Sequence, residues 1–127
     1  MIKKNTILIV DDEDAIIKIV SLILTNAGYN TVTDNNGELL FLRTLVYPNL
    51  ILLDNQLGGK SGAKICRQLK ASQLTKHIPV MLVSATEGLA EIAAYANADD
   101  FLTKPFDVET LLKKVDSLLT KTDLAAC

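Results

Sequence analysis

Short apolar runs recur along this chain with amphipathic stretches between them, and that alternation constrains the fold more than any other feature. Ile7 to Val10, Leu50 to Leu53 and Val80 to Val83 are apolar without interruption, which suits strands buried on both faces and joined by crossover helices. Read this way, strands fall at Thr6 to Val10, Tyr29 to Thr33, Leu50 to Leu53, Val80 to Val83 and Phe101-Leu102. Helices fall at Ala15 to Thr25 (stopped at Gly28), Glu38 to Val46 (closed by Pro48), Ala63 to Ala71, Gly88 to Ala96 and Asp107 to Thr120. In the last of these, Leu111, Leu112, Val115, Leu118 and Leu119 form one stripe that should lie on the sheet. The expectation is an α/β domain over residues 1–120, a parallel sheet between helices, with residues 121–127 as a tail without an evident partner.

With 127 residues and 49% hydrophobic side chains there is material for one sizeable core and no room for a second domain. A formal charge of −2 and a sequence pI of about 5.3 give no expectation of a basic face that could grip a polyanion such as nucleic acid. The apolar runs are far shorter than the roughly 18 residues a membrane helix needs. The basic start at Lys3-Lys4 soon meets Asp11-Asp12-Glu13-Asp14, unlike a secretory leader, so the expected location is cytoplasmic. Cys66 and Cys127 have no disulfide or zinc spacing, and Cys66 reads as helix packing. The lone His77 reads as an ordinary loop residue.

In an open parallel sheet, ligands gather at the carboxyl ends of the strands. Asp11 and Asp12 follow the first strand, Asp54 the third, Ser84 the fourth, and Lys104 the fifth. Three converging carboxylates repel one another unless a cation lies between them, and an all-oxygen donor set favours a hard ion such as Mg²⁺, with Mn²⁺ also admissible. Asp11 and Asp12 can also be read as helix-capping acids, a role that Glu13 and Asp14 share. Asp54 is harder to explain so, because an aspartate ending an apolar strand has lost water and needs a partner in exchange. Placed beside a metal and Lys104, it can act as a nucleophile on phosphorus, with the Ser84 hydroxyl donating to a phosphoryl oxygen.

Four segments in order resemble the receiver domains of two-component response regulators: Ile7 to Glu13, then Leu52-Leu53-Asp54 with Gly62 eight residues on, then Val83-Ser84-Ala85, then Ala98 to Phe106. The resemblance spans about Asn5 to Leu119 and implies a flavodoxin-like doubly wound sheet of order 2-1-3-4-5 with five helices. It implies that Asp54 accepts the phosphoryl group. It also implies that Asp12 and Asp54 ligate Mg²⁺ directly, Asp11 through water, and the backbone carbonyl of Gln56 completes the protein ligands. Ser84 and Phe101 are implied as the switch pair, Lys104 as positioned by a cis bond to Pro105, and Gln56 and Thr86 as tuning hydrolysis. The partners so implied are a histidine kinase or histidine phosphotransfer protein and a downstream protein target, reached through the fourth helix, fifth strand and fifth helix. Neither nucleic acid nor membrane is implied, and the chain is expected to act as a signalling switch, not an enzyme.

This chain departs from the family where most members have proline four residues after the acceptor: Gly58-Gly59 stands there, which predicts a looser loop. Ile17 replaces a commonly basic residue and Leu22 is apolar on the expected outer side of the first helix, marking both as docking candidates if exposed, with repacking against the last helix as the equal alternative. Many relatives dimerise through crossed salt bridges, but no Lys or Arg lies between His77 and Phe101, which leaves a monomer or weak homodimer.

Three rival readings draw on the same residues. A haloacid-dehalogenase-like phosphatase would use Asp12-Glu13-Asp14, Ser84 and Asp99-Asp100, but its lysine precedes the acidic pair and here Lys104 follows it. A P-loop would use Gly59-Lys60-Ser61, but its first glycine is absent. A pseudo-receiver, the same fold docking without phosphorylation, is the non-enzymatic alternative.

Overall fold

The computed structural model describes residues 5–38 and 48–126, with side chains through residue 120. Its main sheet has five parallel strands in the order β2-β1-β3-β6-β7: β1 (Thr6–Val10), β2 (Asn30–Asp34), β3 (Leu50–Leu53), β6 (Val80–Ser84) and β7 (Asp100–Thr103). Between β3 and β6 lies a separate antiparallel hairpin, β4 (Gln56–Leu57) and β5 (Lys60–Ser61). Leaving the hairpin out of the count, this is the 2-1-3-4-5 order the resemblance implied. The described residues hold four helices: α1 (Asp14–Asn26), α2 (Gly62–Ala71), α3 (Leu89–Ala96) and α4 (Val108–Ala126). The helix expected over 38–46 lies, from residue 39 on, outside the described residues.

Strand side chains alternate between two cores. Leu8, Val10, Ile51, Leu53, Val80 and Leu82 pack with Cys66 and Leu69 of α2 and with Leu89 and Ala93 of α3. Ile7, Ile9, Leu50, Leu52, Met81 and Val83 pack with Val20 and Leu24 of α1 and with Leu111, Val115 and Leu118 of α4. The sheet is thus covered on both faces, which is why its central strands carry unbroken apolar runs. Each fully buried Leu or Ile contributes on the order of 1.5–3 kcal/mol.

Three local expectations change. The loop at 57–62 is a two-residue hairpin. Gly58 and Gly59 have φ of +52° and +90°, the positive values that a tight hairpin turn of type I′ requires at both central positions, so the glycines here build a turn that looseness does not describe. The last helix does not stop at Thr120 but runs to Ala126, because Lys121 to Ala126 contain neither Gly nor Pro to end it. Ile17 is half-buried and packs against the α1/α4 core, while Leu22 is 62% exposed; it is Ile19, 54% exposed, that accompanies Leu22 on the outside. Among the described residues no helix is long and apolar enough to cross a membrane.

Candidate functional site

Asp11 and Asp54 are placed by strand register. β1 and β3 pair Val10 with Leu53, so the next residue of each strand emerges at the same edge, and the Asp54 N–H donates to Val10 O at 2.9 Å. Both aspartates are buried, Asp54 to 4% exposure. Asp12 and Glu13 are exposed beside them. One carboxylate oxygen each from Asp11, Asp12, Glu13 and Asp54 lie within 4.8 Å of one another.

Lys104 joins them from the turn after β7, where its N–H donates to Ser84 O at 2.9 Å. Its Nζ lies 2.7 Å from Asp11 Oδ2, 3.2 Å from Glu13 Oε1 and 3.4 Å from Asp54 Oδ2. The Lys104-Pro105 bond is cis, as the resemblance implied. Burial alone would lower the ammonium's pKa, but its bond to Asp11 and the charges of Asp11 and Asp54 outweigh this and push it up, so the cation is retained. Asp11 moves up as well, chiefly through burial, with the nearby Asp54 charge adding to it, against the opposing Lys104 and Glu13 N–H hydrogen bonds.

Three of the four carboxylates also accept a backbone N–H. Asp11 Oδ1 accepts the Glu13 N–H at 2.9 Å, Asp12 Oδ2 the Gly58 N–H at 3.1 Å, and Asp54 Oδ1 the Gln56 N–H at 3.3 Å. The helix-capping alternative for the Asp11-Asp12 pair holds in part: Asp11 takes the N–H of Glu13, the N-cap residue of α1, while Asp12 bonds the hairpin and Glu13 itself makes no side-chain cap bond. The hairpin turn thus reaches back to hold Asp12.

Gly62 explains its own identity. A Cβ there would sit 2.8 Å from both Asn55 Cα and the carbonyl carbon of Asp54, and closer still to the Asp54 oxygen. Only a residue without a side chain lets α2 start against the strand end that carries Asp54. The contact is fixed by Gly62 N–H to Asn55 O at 2.7 Å and Ala63 N–H to Asn55 Oδ1 at 2.9 Å.

Ser84 is buried at the end of β6, its hydroxyl 2.9 Å from the Thr86 hydroxyl. Phe101, on β7, is half-buried against the α2/α3 core, with the Lys114 ammonium 5.4 Å from its ring centroid. Gln56 is exposed at the start of β4. Glu13 is the residue that sequence reading left out of the site; it stood next to the Asp11-Asp12 pair, but its acid was assigned to the helix start. Asp99 and Asp100 are engaged within the chain by Lys70 at 2.6 Å and Lys114 at 3.0 Å.

Four carboxylates and one ammonium leave excess negative charge in a partly buried, all-oxygen site, the donor chemistry of a hard divalent cation. A family model described as the response regulator receiver domain matches residues 7–116. The DNA-binding dual master transcriptional regulator RpaA of Synechocystis sp. is 39% identical over 122 residues, which cover 92% of this chain and 50% of RpaA. The response regulator PleD of Caulobacter vibrioides is 37% identical over 115 residues, 88% of this chain and 25% of PleD. This chain thus spans half or less of the length of those relatives. Among solved structures, a CheY-like receiver domain protein from Methanospirillum hungatei superposes with a TM-score of 0.87 at 26% identity, covering 97% of this chain and 99% of that one. The BeF3-activated receiver domain of DrrB, a Thermotoga maritima protein, gives 0.79 at 32% identity, covering 93% and 99%.

Proposed function

This chain belongs to the response regulator receiver domain family, and from that premise we propose that Asp54 is its phospho-acceptor, taking a phosphoryl group from a phosphohistidine of a histidine kinase or phosphotransfer protein. The observation that carries the proposal is the Asp54 carboxylate, buried at a strand end with Lys104 Nζ at 3.4 Å and three further acids around it. Burial without neutralisation is costly for such a group, and phosphoryl transfer is a chemistry that uses both the acid and the nearby ammonium.

In the transfer, an Asp54 oxygen forms a bond to phosphorus, the donor's N–P bond breaks, and the histidine nitrogen leaves with the electron pair and takes up a proton. Lys104 offsets charge on the phosphoryl oxygens while remaining tied to Asp11. Asp11, Asp12 and Asp54, with the Gln56 carbonyl, are the residues that would hold Mg²⁺ or Mn²⁺, and Glu13 lies close enough to assist. Such an ion, when bound, supplies positive charge against the phosphoryl oxygens. Gln56 and Thr86, neither of them acidic, line the approach of water to the acyl phosphate.

The switch then follows from one exchange of hydrogen bonds. The Ser84 hydroxyl leaves Thr86 for a phosphoryl oxygen, and the Phe101 ring moves into the space vacated, altering the face formed by α3, β7 and α4 for a downstream protein. The BeF3-activated state of the DrrB receiver domain supports the use of a phosphoryl mimic here.

Intact-mass spectrometry after incubation with acetyl phosphate and Mg²⁺ tests this. One adduct of about 80 Da, lost without Mg²⁺ and lost in Asp54→Asn, is the expected result. An adduct that survives Asp54→Asn puts the acceptor elsewhere. If neither acetyl phosphate nor beryllofluoride modifies the folded chain, the pseudo-receiver reading replaces this one.

A further inference from the structure

The chain's charge is segregated in a way its net value of −2 conceals. Residues 59–79 contain five of the 13 lysine and arginine residues and none of the 15 aspartate and glutamate residues. The structure turns that stretch into one surface: Lys60 on β5, Lys64 and Arg67 one helical turn apart on α2, Lys70 in its last turn, and Lys76 just beyond. Lys60, Lys64, Arg67 and Lys76 are all exposed. Among the described residues, Lys70 is paired with Asp99, but none of the other four pairs with a carboxylate.

Arg67 is also held in place. Its guanidinium stacks 4.5 Å above the Tyr95 ring, and Nη1 donates to the Tyr95 carbonyl at 2.8 Å. The remaining nitrogens of the guanidinium are fixed in direction before any partner arrives, which reduces the entropy lost when a carboxylate binds in bidentate fashion.

We propose that the exposed face of α2, from Lys60 to Lys76, is a docking surface for a carboxylate-rich segment of a partner protein. It is independent of Asp54 and its chemistry. Charge complementarity selects the acid partner, and the extent of the patch selects a short segment of protein over a duplex or a lipid surface. The ten residues of α2 span about 15 Å. Beyond them an extended polyanion meets like charge: the Asp11, Asp12, Glu13 and Asp54 cluster at the strand edge where α2 begins, and Glu91 one turn before Tyr95 on α3. A compact acidic segment meets mainly the cations: among the described residues the acids beside them are Glu38, which shares a cleft with Lys60 and Lys64, and Asp99, already neutralised by Lys70.

The test is fluorescence anisotropy with a labelled oligoglutamate peptide of about ten residues at low salt, roughly 50 mM, where surface charge is least screened. The full chain should bind it, with affinity falling as salt rises. Lys60→Glu/Lys64→Glu, which alters only exposed side chains, should weaken Kd by about tenfold or more, whereas Lys113→Glu on α4 should leave it unchanged. Arg67→Ala provides a second variant, and far-UV circular dichroism confirms that each is folded. The proposal is overturned if the chain does not bind the peptide, or if Lys60→Glu/Lys64→Glu binds as the wild type does. It is equally overturned if a 20-base-pair duplex or phosphatidylserine vesicles bind more tightly than the peptide and lose that binding in the same variant.

Discussion

Replacing Gly62 by alanine should be among the most damaging single-methyl additions in this protein. The new Cβ would stand 2.8 Å from Asn55 Cα and from the Asp54 carbonyl carbon, where carbon contacts prefer about 3.5–4.0 Å, so roughly 1 Å of movement is forced. The near side cannot yield freely, because Asp54 is tied into the sheet through Val10 O at 2.9 Å. The far side is the start of α2, anchored by the two hydrogen bonds to Asn55. Overpacking costs about 1–3 kcal/mol, and stretching two hydrogen bonds adds about 0.5–1.5 kcal/mol each. A loss of about 4 kcal/mol is the central expectation, equivalent to a fall in Tm of roughly 15 °C for a domain of this size. Urea denaturation measures it as a lower midpoint at unchanged slope. Because the strain falls on the Asp54 backbone, phosphoryl uptake from acetyl phosphate should also slow in the variant under conditions where it is folded. A Gly62→Ala protein within about 0.5 kcal/mol of the wild type would refute the argument that this position is glycine for want of space.

Two other measurements bear on the core. Leu24→Ala, at a fully buried position, should cost about 2–5 kcal/mol, whereas Leu22→Ala, two residues earlier and exposed, should stay within about 0.5 kcal/mol; equal losses in urea melts would contradict the assigned face of α1. Burial pushes the Cys66 thiol up to about 11, so in Cys127→Ser the remaining thiol should label with iodoacetamide only at the rate of global or local opening at pH 7.5, and prompt labelling would show it to be accessible. Since that folded-state value lies above the unfolded one, the contribution is fully present below about pH 9 and is lost as pH rises toward 11; the stability difference between wild type and Cys66→Ala should narrow over that interval.

Sequence alone determined the elements whose information is local. β1 and β3 end where the apolar runs do, because an aspartate directly after an unbroken apolar strand marks both the strand end and the site. Asp11, Asp12, Asp54, Ser84 and Lys104 were legible as a group for the same reason: in a parallel sheet every strand delivers its next residue to one edge. What the tertiary structure decided is what depends on which surfaces meet. Ile17 and Ile19 have similar apolar character, and only the seating of α1 over the sheet made the first half-buried and the second exposed. Glu13 entered the site because the Lys104 ammonium lies 3.2 Å from its carboxylate, a contact between residues 91 apart in the chain. Gly58-Gly59 became a hairpin turn because Gln56 and Ser61 pair across it. The basic α2 face was hidden by summation: net charge adds every ionisable side chain wherever it lies, while a binding partner meets only those that folding gathers onto one side.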